Sequence, residues 1–218
     1  MAFSAAHVDH PRARGLKTRA AILRAAERAF AASGFAGTRI DAISREAGVN
    51  KALLYYYFGS KGRLYASVLH EQFRDFNRRA IAILTAPGSP RALLLRFLRL
   101  QFDAISRRPG FARMHLQTLM SADRSFIDLV RRHADPRNRA LIRLLRRGIR
   151  QGEFRRADPL HAAISIAGLI VFYFGLAPVL EAVSGRDVFS PASLRRRKRE
   201  VLQFVRFGLF ADPAAPLK

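Results

Sequence analysis

Two lysines and a group of tyrosines lie close together in the chain, and residues of these types can bind nucleic acid. Lys51, Tyr55 and Tyr56 fall within one short segment, and Lys61 follows Ser60 directly. Lysine ammonium groups and tyrosine hydroxyls contact phosphate oxygens, and tyrosine rings stack along sugars. A lysine at a serine-capped helix N-terminus also forms an anion site, because the free backbone amides there point outward. The segment therefore indicates contacts to a nucleic-acid backbone.

No comparable set of residues indicates catalysis. The sequence contains no HExxH, no GxSxG, no phosphate-binding glycine loop and no clustered carboxylates, so we expect no enzyme activity and no catalytic residues. The absence of cysteine excludes disulfides, thiolate catalysis and cysteine-ligated zinc. His7 and His10 lack further ligands nearby. We therefore expect neither a metal site nor a cofactor.

Residues 38–65 predict two short helices, a tight turn between them and the start of a third helix. Thr38 and Asp41 match a capping box that would begin the first helix. Gly48 stands where a helix commonly ends in a left-handed residue, and Asn50 is a good N-cap for the second helix. Two helices joined across such a turn form a helix-turn-helix, whose second helix enters the major groove of DNA.

The second helix, from Lys51 to about Tyr57, should have one buried and one exposed face. Leu54 and Phe58 are four residues apart, and this spacing directs both inward. The outward face then consists of Lys51, Ala52, Tyr55 and Tyr56. The alternative is a solvated helical hairpin whose aromatic rings pack on a neighbouring domain. The combination of caps, turn, aromatic display and anion site favours DNA binding.

Residues 18–65 resemble the DNA-binding domain of the TetR family of transcriptional regulators. The match runs in order through Thr38, Ile43, Ala47, Gly48, Val49, Leu54, Tyr55, Tyr57, Phe58, Ser60, Lys61 and Leu64. The resemblance implies contacts to phosphates by Thr38, Tyr55, Tyr56 and Lys61, and to bases by Lys51, Ala52 and Tyr55. Together with Asn50, these are the residues that we expect to bind DNA. The chain departs from the family pattern at Ser44, Asn50, Ala52 and Gly62.

The chain is strongly basic, but most of the positive charge lies outside the helix-turn-helix. The formal net charge is +23, from 39 Lys and Arg against 16 Asp and Glu. Residues 1–66 contribute +7 (11 cationic, 4 acidic) and residues 67–218 contribute +16 (28 cationic, 12 acidic). This charge attracts DNA at long range, yet it equally fits an arginine-rich genome. The motif, not the charge, carries the DNA-binding interpretation.

Apolar residues recur at helical spacing along the whole chain, which predicts an all-α protein of about nine helices. We expect a flexible arm over 1–17, a three-helix helix-turn-helix domain over 18–65, a larger helical ligand-binding and dimerisation domain over 66–212, and a tail over 213–218. The arm either reaches into a minor groove through its basic residues or is a solvated tail. Expected helices cover residues 18–33, 61–84, 91–107, 111–121, 126–151 with a restart at Asp135, 159–180 and 194–210.

One long apolar stretch admits two interpretations. Residues 159–180 contain no Asp, Glu, Lys or Arg and meet the length that spans a bilayer. The alternative is a helix buried on two faces within a dimer. The resemblance favours the dimer, because the last two long helices of family members form a four-helix bundle with their symmetry mates. We expect a homodimer through 159–180 and 194–210, without membrane insertion. Since residues 1–11 do not form a secretory signal, we expect a cytoplasmic protein.

The resemblance also implies that the second domain binds a small-molecule effector. The candidate pocket residues are polar groups on apolar faces and aromatic residues near them: Gln101, His115, Tyr173, Phe97, Phe102 and Phe172. Each polar group can equally be a buried group paired with a backbone carbonyl, and the phenylalanines can be core.

These expectations describe a ligand-responsive transcriptional regulator. It would repress transcription, bind a palindromic operator in double-stranded DNA as a homodimer, and be released by its effector. The alternative is a non-specific architectural DNA-binding protein without effector control, which would bind DNA with little preference between sequences.

Overall fold

The computed structural model describes residues 11–107 and 135–214, and the fold divides the chain into two compact units. Unit 1 ends at Leu69 and unit 2 begins at His70. All regular structure in the described ranges is helical, apart from one isolated β-bridge between Phe154 and Phe210. The all-α prediction is confirmed.

The helices of the described residues are numbered in chain order. Unit 1 contains α1 (Pro11–Gly37), α2 (Ile40–Ala47), α3 (Lys51–Phe58) and the start of α4 (Lys61–Thr85). Unit 2 contains the rest of α4, then α5 (Pro90–Ser106), α6 (Asp135–Arg150), α7 (Pro159–Gly175), α8 (Ala177–Ser184) and α9 (Pro191–Leu209). The helix predicted over 111–121 and the segment from 126 to 134 lie outside the described residues.

Helix α1 differs from its prediction at both ends. It begins at Pro11 rather than Thr18, so residues 11–17 are helical and not a flexible arm. Proline is tolerated in a first helical turn because the amide it lacks has no partner there anyway. The predicted stop at Gly34 is a break with φ 67° and ψ 179°, after which a short helical stretch continues to Gly37.

Unit 1 packs α1 and α3 against α2 around a small apolar core. Phe30 of α1 lies at its centre, with its ring edge-on to Tyr65 at 4.8 Å. Phe35 also contacts Tyr65, at 5.1 Å between ring centroids. The other buried apolar residues of this unit are Ile22, Ala25, Ala26, Ile40, Ile43, Leu54, Phe58, Leu64, Val68 and Leu69.

Helix α5 is the centre of unit 2. It packs against α6, α7 and α9, and it buries nine of its residues: Pro90, Leu93, Leu94, Leu95, Phe97, Leu98, Gln101, Phe102 and Ile105. The core around it takes Leu144 and Leu145 from α6, Ile170 and Phe174 from α7, and Val205 from α9. The exposed arginines of these helices therefore surround one continuous apolar core.

The apolar stretch over 159–180 is two helices rather than one. Helices α7 and α8 meet at Leu176 with a bend of 65°. Pro178 lies in the first turn of α8 and has no amide to continue the ladder of α7. Within the described ranges no single helix has the length and apolar composition to cross a membrane; the bent pair α7–α8 meets that test only when the two are taken together.

The segment after α6 is held by a close approach to Gly148. The Phe154 amide donates to the Gly148 carbonyl at 3.1 Å, and the buried Phe154 ring packs 5.6 Å from Phe210. Two further backbone bonds fix this junction, from Arg155 to Leu209 at 2.8 Å and from Ala211 to Glu153 at 3.1 Å. A Cβ at position 148 would lie 2.2 Å from the Phe154 ring.

Gly148→Ala should therefore destabilise the protein by up to about 2 kcal/mol, because overpacking costs about 1–3 kcal/mol and alanine returns about 1 kcal/mol of helix propensity. Urea denaturation measures the change. In a double-mutant cycle with Phe154→Leu, the two changes together should cost less than their sum. Additive costs would show that the ring does not confine position 148.

Candidate nucleic-acid interface

The turn between α2 and α3 has the geometry of a helix-turn-helix. Gly48 adopts a left-handed conformation with φ 67° and ψ 31°. Its amide donates to the Arg45 carbonyl at 3.2 Å, and the Val49 amide donates to the Ser44 carbonyl at 3.0 Å. These bonds satisfy the last carbonyls of α2 while the chain reverses. The predicted role of Gly48 is confirmed.

Helix α3 has the predicted cap and the predicted faces. The Asn50 side chain accepts a hydrogen bond from the Leu53 amide at 2.7 Å, so Asn50 is its N-cap. Leu54 and Phe58 are buried. The outward face consists of Lys51, Ala52, Tyr55 and Tyr56, all exposed, with exposed fractions of 40% for Tyr55 and 81% for Tyr56. A short helix with this division presents its polar and aromatic face to a partner.

Lys51 is held at the start of α3 by an acidic residue of α2. Its ammonium nitrogen lies 3.0 Å from Asp41 Oδ1, and both side chains are more than half exposed. This hydrogen bond raises the pKa of Lys51 above its usual range. Ion pairs so exposed are weak, so a phosphate or a base acceptor can replace Asp41 as the partner.

The start of α4 also matches its prediction. Ser60 Oγ accepts from the Arg63 amide at 3.1 Å, which caps the helix. Lys61 lies over the Phe35 ring, 4.9 Å from its centroid, and donates to the Ala36 carbonyl at 3.3 Å. The ammonium group is thus positioned by contacts within unit 1.

Thr38 does not cap α2, and the predicted capping box is wrong. The N-cap is Arg39, without a side-chain hydrogen bond. Thr38 is only 4% exposed, and its hydroxyl donates to the carbonyls of Ala29 and Gly34 at 3.0 and 2.6 Å. These hydrogen bonds connect the residue before the N-cap of α2 to α1. A phosphate contact by Thr38 stays a prediction.

Two residues of α2 and its cap were not anticipated. Arg39 is exposed and near enough to Lys51 for their charges to interact. Arg39 therefore adds a positive charge next to the exposed face of α3. Its position directly before a short amphipathic helix is the sequence feature from which this could have been predicted. The Ser44 hydroxyl is buried without a hydrogen-bond partner. Alanine, the residue of the family pattern, would leave no such group.

In unit 2 the structure separates the predicted pocket residues. Phe97, Gln101 and Phe102 lie on the buried face of α5, where Phe102 packs edge-on to Phe174 at 5.1 Å. Tyr173 is partly buried under Arg197, whose guanidinium carbon lies 4.8 Å from the ring centroid. Burial raises the pKa of Tyr173. His115 lies outside the described residues.

Phe172 does not join that group. It is 58% exposed, because α7 turns Ile170 and Phe174 into the core and Phe172 away from it. Four other large apolar side chains on α7 and α9 are also exposed: Leu160 and Ile164 on α7, and Phe204 and Phe207 on α9. Phe204 and Phe207 also line an open groove between α9 and Leu169 of α7. We call these five side chains the α7/α9 apolar face.

Comparison with known families agrees with both units. Residues 22–68 match the family described as bacterial regulatory proteins, tetR family, and residues 90–205 match the tetracyclin repressor-like C-terminal domain. The chain belongs to the TetR family. The family and the similar proteins are transcriptional regulators and not enzymes. This confirms the resemblance seen in residues 18–65 and extends it through unit 2.

Three known proteins illustrate the relationship. The transcriptional regulator RutR of Escherichia coli K12 is 27% identical over 190 residues, covering 85% of this chain and 89% of RutR. The transcriptional repressor SCO4008 of Streptomyces coelicolor is 52% identical over 58 residues, covering 27% of this chain and 30% of the repressor. FadR of Bacillus subtilis, solved with stearoyl-CoA, superposes with a TM-score of 0.71 at 19% identity over 85% of this chain and 96% of FadR, which shows a shared fold.

Proposed function

We propose that this TetR-family protein is a ligand-responsive repressor, which binds a palindromic operator as a homodimer in the cytoplasm and is released by a small-molecule effector. The observation that carries the proposal is the outward face of α3. An exposed face with a lysine and two tyrosines, on a helix capped and anchored by Asn50, Leu54 and Phe58, suits the major groove.

The two ends of this surface would have different tasks. Lys51, Ala52 and Tyr55 lie at the start and middle of α3, where a recognition helix reaches base edges. Tyr56 and Lys61 would contact phosphates, and the capped start of α4 adds backbone amides to the same anion site. Base contacts would give sequence preference, while phosphate contacts would fix the orientation of the protein on the duplex.

The α7/α9 apolar face supports the dimer. Phe204 and Phe207 are 66% and 63% exposed on α9, and Phe172 lies on α7. Large exposed apolar patches mark interaction sites, and aromatic residues are enriched at the centres of interfaces. A two-fold dimer uses the same patch on both copies, so one such face is sufficient. Such a dimer has two copies of α3, one for each half of an inverted repeat.

Release by an effector requires only that the effector prefers a conformation that binds DNA less well. A solved structure supports this part: FadR was solved with stearoyl-CoA in a fold shared with this chain. The name of SCO4008, a transcriptional repressor, supports repression as the direction of regulation. We propose by analogy that unit 2 binds the effector, and that DNA and effector lower each other's affinity.

Selection from a random pool of duplexes at physiological salt, followed by titration, tests the function. We expect one inverted repeat, bound by two subunits, at least about 10³-fold more tightly than unrelated DNA. Tight binding at low salt without a common sequence would contradict the repressor and support a non-specific architectural DNA-binding protein.

Variants of the α3 surface should separate base reading from phosphate binding. Lys51→Ala and Tyr55→Phe should change which sequences are preferred, by about 1–3 kcal/mol at a contacted base pair. Lys61→Ala should weaken binding to all duplexes alike and lower the slope of log K against log salt by about 1. Melting curves control for the loss of the Lys61 contact to Ala36. Equal effects of all three variants on every sequence would contradict base reading by α3.

A charge on the α7/α9 apolar face should separate the protomers. Phe204→Glu should weaken the dimer by about 2 kcal/mol, roughly 30-fold in Kd, because the carboxylate would be buried at the interface. Sedimentation equilibrium measures the change. Leu16→Glu, at an exposed apolar residue of unit 1, is the matched control and should not alter the dimer. An unchanged Kd for Phe204→Glu would place the interface elsewhere.

A further inference from the structure

Arg137 has surroundings unlike those of the exposed arginines on α6. Its guanidinium lies against two rings of α4, with its central carbon 5.4 Å from the Phe76 centroid and 6.0 Å from that of Phe73. Its hydrogen bonds in the described residues go to neutral amide oxygens: to Asn77 Oδ1 at 3.3 Å, and to Asn138 Oδ1 at 3.1 and 3.4 Å. The group is thus partly buried, with aromatic carbon and uncharged acceptors around it.

These bonds use three of the five N–H donors of the guanidinium, one on each nitrogen. Each terminal nitrogen therefore keeps one further N–H. Two N–H groups on the two terminal nitrogens can form the planar fork that binds a carboxylate through both of its oxygens. Arg137 therefore has two N–H donors left for a further acceptor.

The charge of Arg137 has no counter-ion in the part of the chain that the structure describes. Burial is the sole cause of its pKa shift, lowering the pKa to about 10, with no opposing contribution from a carboxylate. The ion pairs described in unit 2 engage other cations, such as Lys198 with Asp103 at 2.7 Å and Arg91 with Glu153 at 3.5 Å. A partly buried guanidinium without a counter-ion keeps an uncompensated charge, so an anion from solution would be bound favourably.

We infer that Arg137, with Asn77 and the rings of Phe73 and Phe76, binds the carboxylate of an effector that has one negative charge and an apolar body. A single guanidinium among neutral groups balances one negative charge, which favours a carboxylate over a phosphate that carries nearly two. The inference rests on the proposed function, since it assigns the chemistry of the effector. Three of the four residues lie on α4, the helix that begins at Lys61 in unit 1.

The test uses the full-length protein without DNA, with benzoate as the probe at constant ionic strength. Benzamide, of similar shape but uncharged, is the control ligand. Benzoate should raise Tm by about 3–6 °C at ten times its Kd, with one molecule bound per chain in calorimetry. Benzamide should leave Tm unchanged. Absence of a benzoate effect, an equal effect of benzamide, or tighter binding of inorganic phosphate would overturn the assignment.

Variants assign the effect to Arg137. Arg137→Gln should abolish the benzoate shift, and Arg143→Gln, which removes an exposed arginine from the same helix, should retain it. Arg137→Lys keeps the charge without the planar fork and should weaken benzoate binding while preserving the fold. A benzoate shift that persists in Arg137→Gln would refute the site.

A second measurement distinguishes an anion from solution from a carboxylate of the chain itself. If Arg137 binds an anion from solution, the ligand-free Arg137→Gln variant should have the same Tm as the ligand-free wild-type protein, or a higher one. A large fall in Tm, with the variant unfolded or nearly so, would show an internal ion pair and overturn the inference. No DNA is present in these measurements, so a negative benzoate result would not contradict the repressor proposal. Likewise, failure to select an operator would not contradict a positive benzoate result.

Discussion

The burial of Leu54 and Phe58 is the interaction on which the exposed surface of α3 depends. Helix α3 has eight residues, too few to be stable alone in water. Two buried side chains on one face and the Asn50 cap at its start hold it in place. The side chains on the opposite face of α3 from Leu54 and Phe58 are exposed. The core contacts of these two residues therefore determine which side chains point outward. The positive φ of Gly48 then sets the angle at which that face leaves α2.

Unit 2 has an arginine-rich sequence and still forms an apolar interior, because one of its helices lies at the centre of the core. Helix α5 is surrounded by α6, α7 and α9, and among its buried residues Gln101 alone has a polar side chain. The arginines of the neighbouring helices can then remain in solvent without cost to the core. Arg137 is one of the arginines that depart from this plan within the described residues, since Arg91, Arg147 and Arg197 each have a buried Nε atom as well. A partly buried charge without a counter-ion is a reason to look for a role in binding.

Sequence patterns predicted the features that depend on near neighbours. The Asn50 cap, the Gly48 turn and the buried pair on α3 all arise within five residues of chain, and each was found as expected. The errors have tertiary causes. Thr38 looked like a cap, but its hydroxyl bonds to Ala29, which only the folded unit brings near. Phe172 looked like a pocket or core residue, yet its direction depends on the packing of Ile170 and Phe174. The contact of Arg137 with Phe73 and Phe76 joins residues about 60 positions apart in the chain, so the spacing of residues in the sequence does not predict it.

The α7/α9 apolar face has a consequence for how gene expression would respond to the amount of this protein. If two chains must associate before either can hold an operator firmly, occupancy at low abundance rises with the square of the chain concentration, and linearly only once the dimer is saturated. Repression would then switch on over a narrower range of synthesis rates than a monomer allows. Were such a repressor to control its own gene, this steepness would set the level at which its synthesis stops.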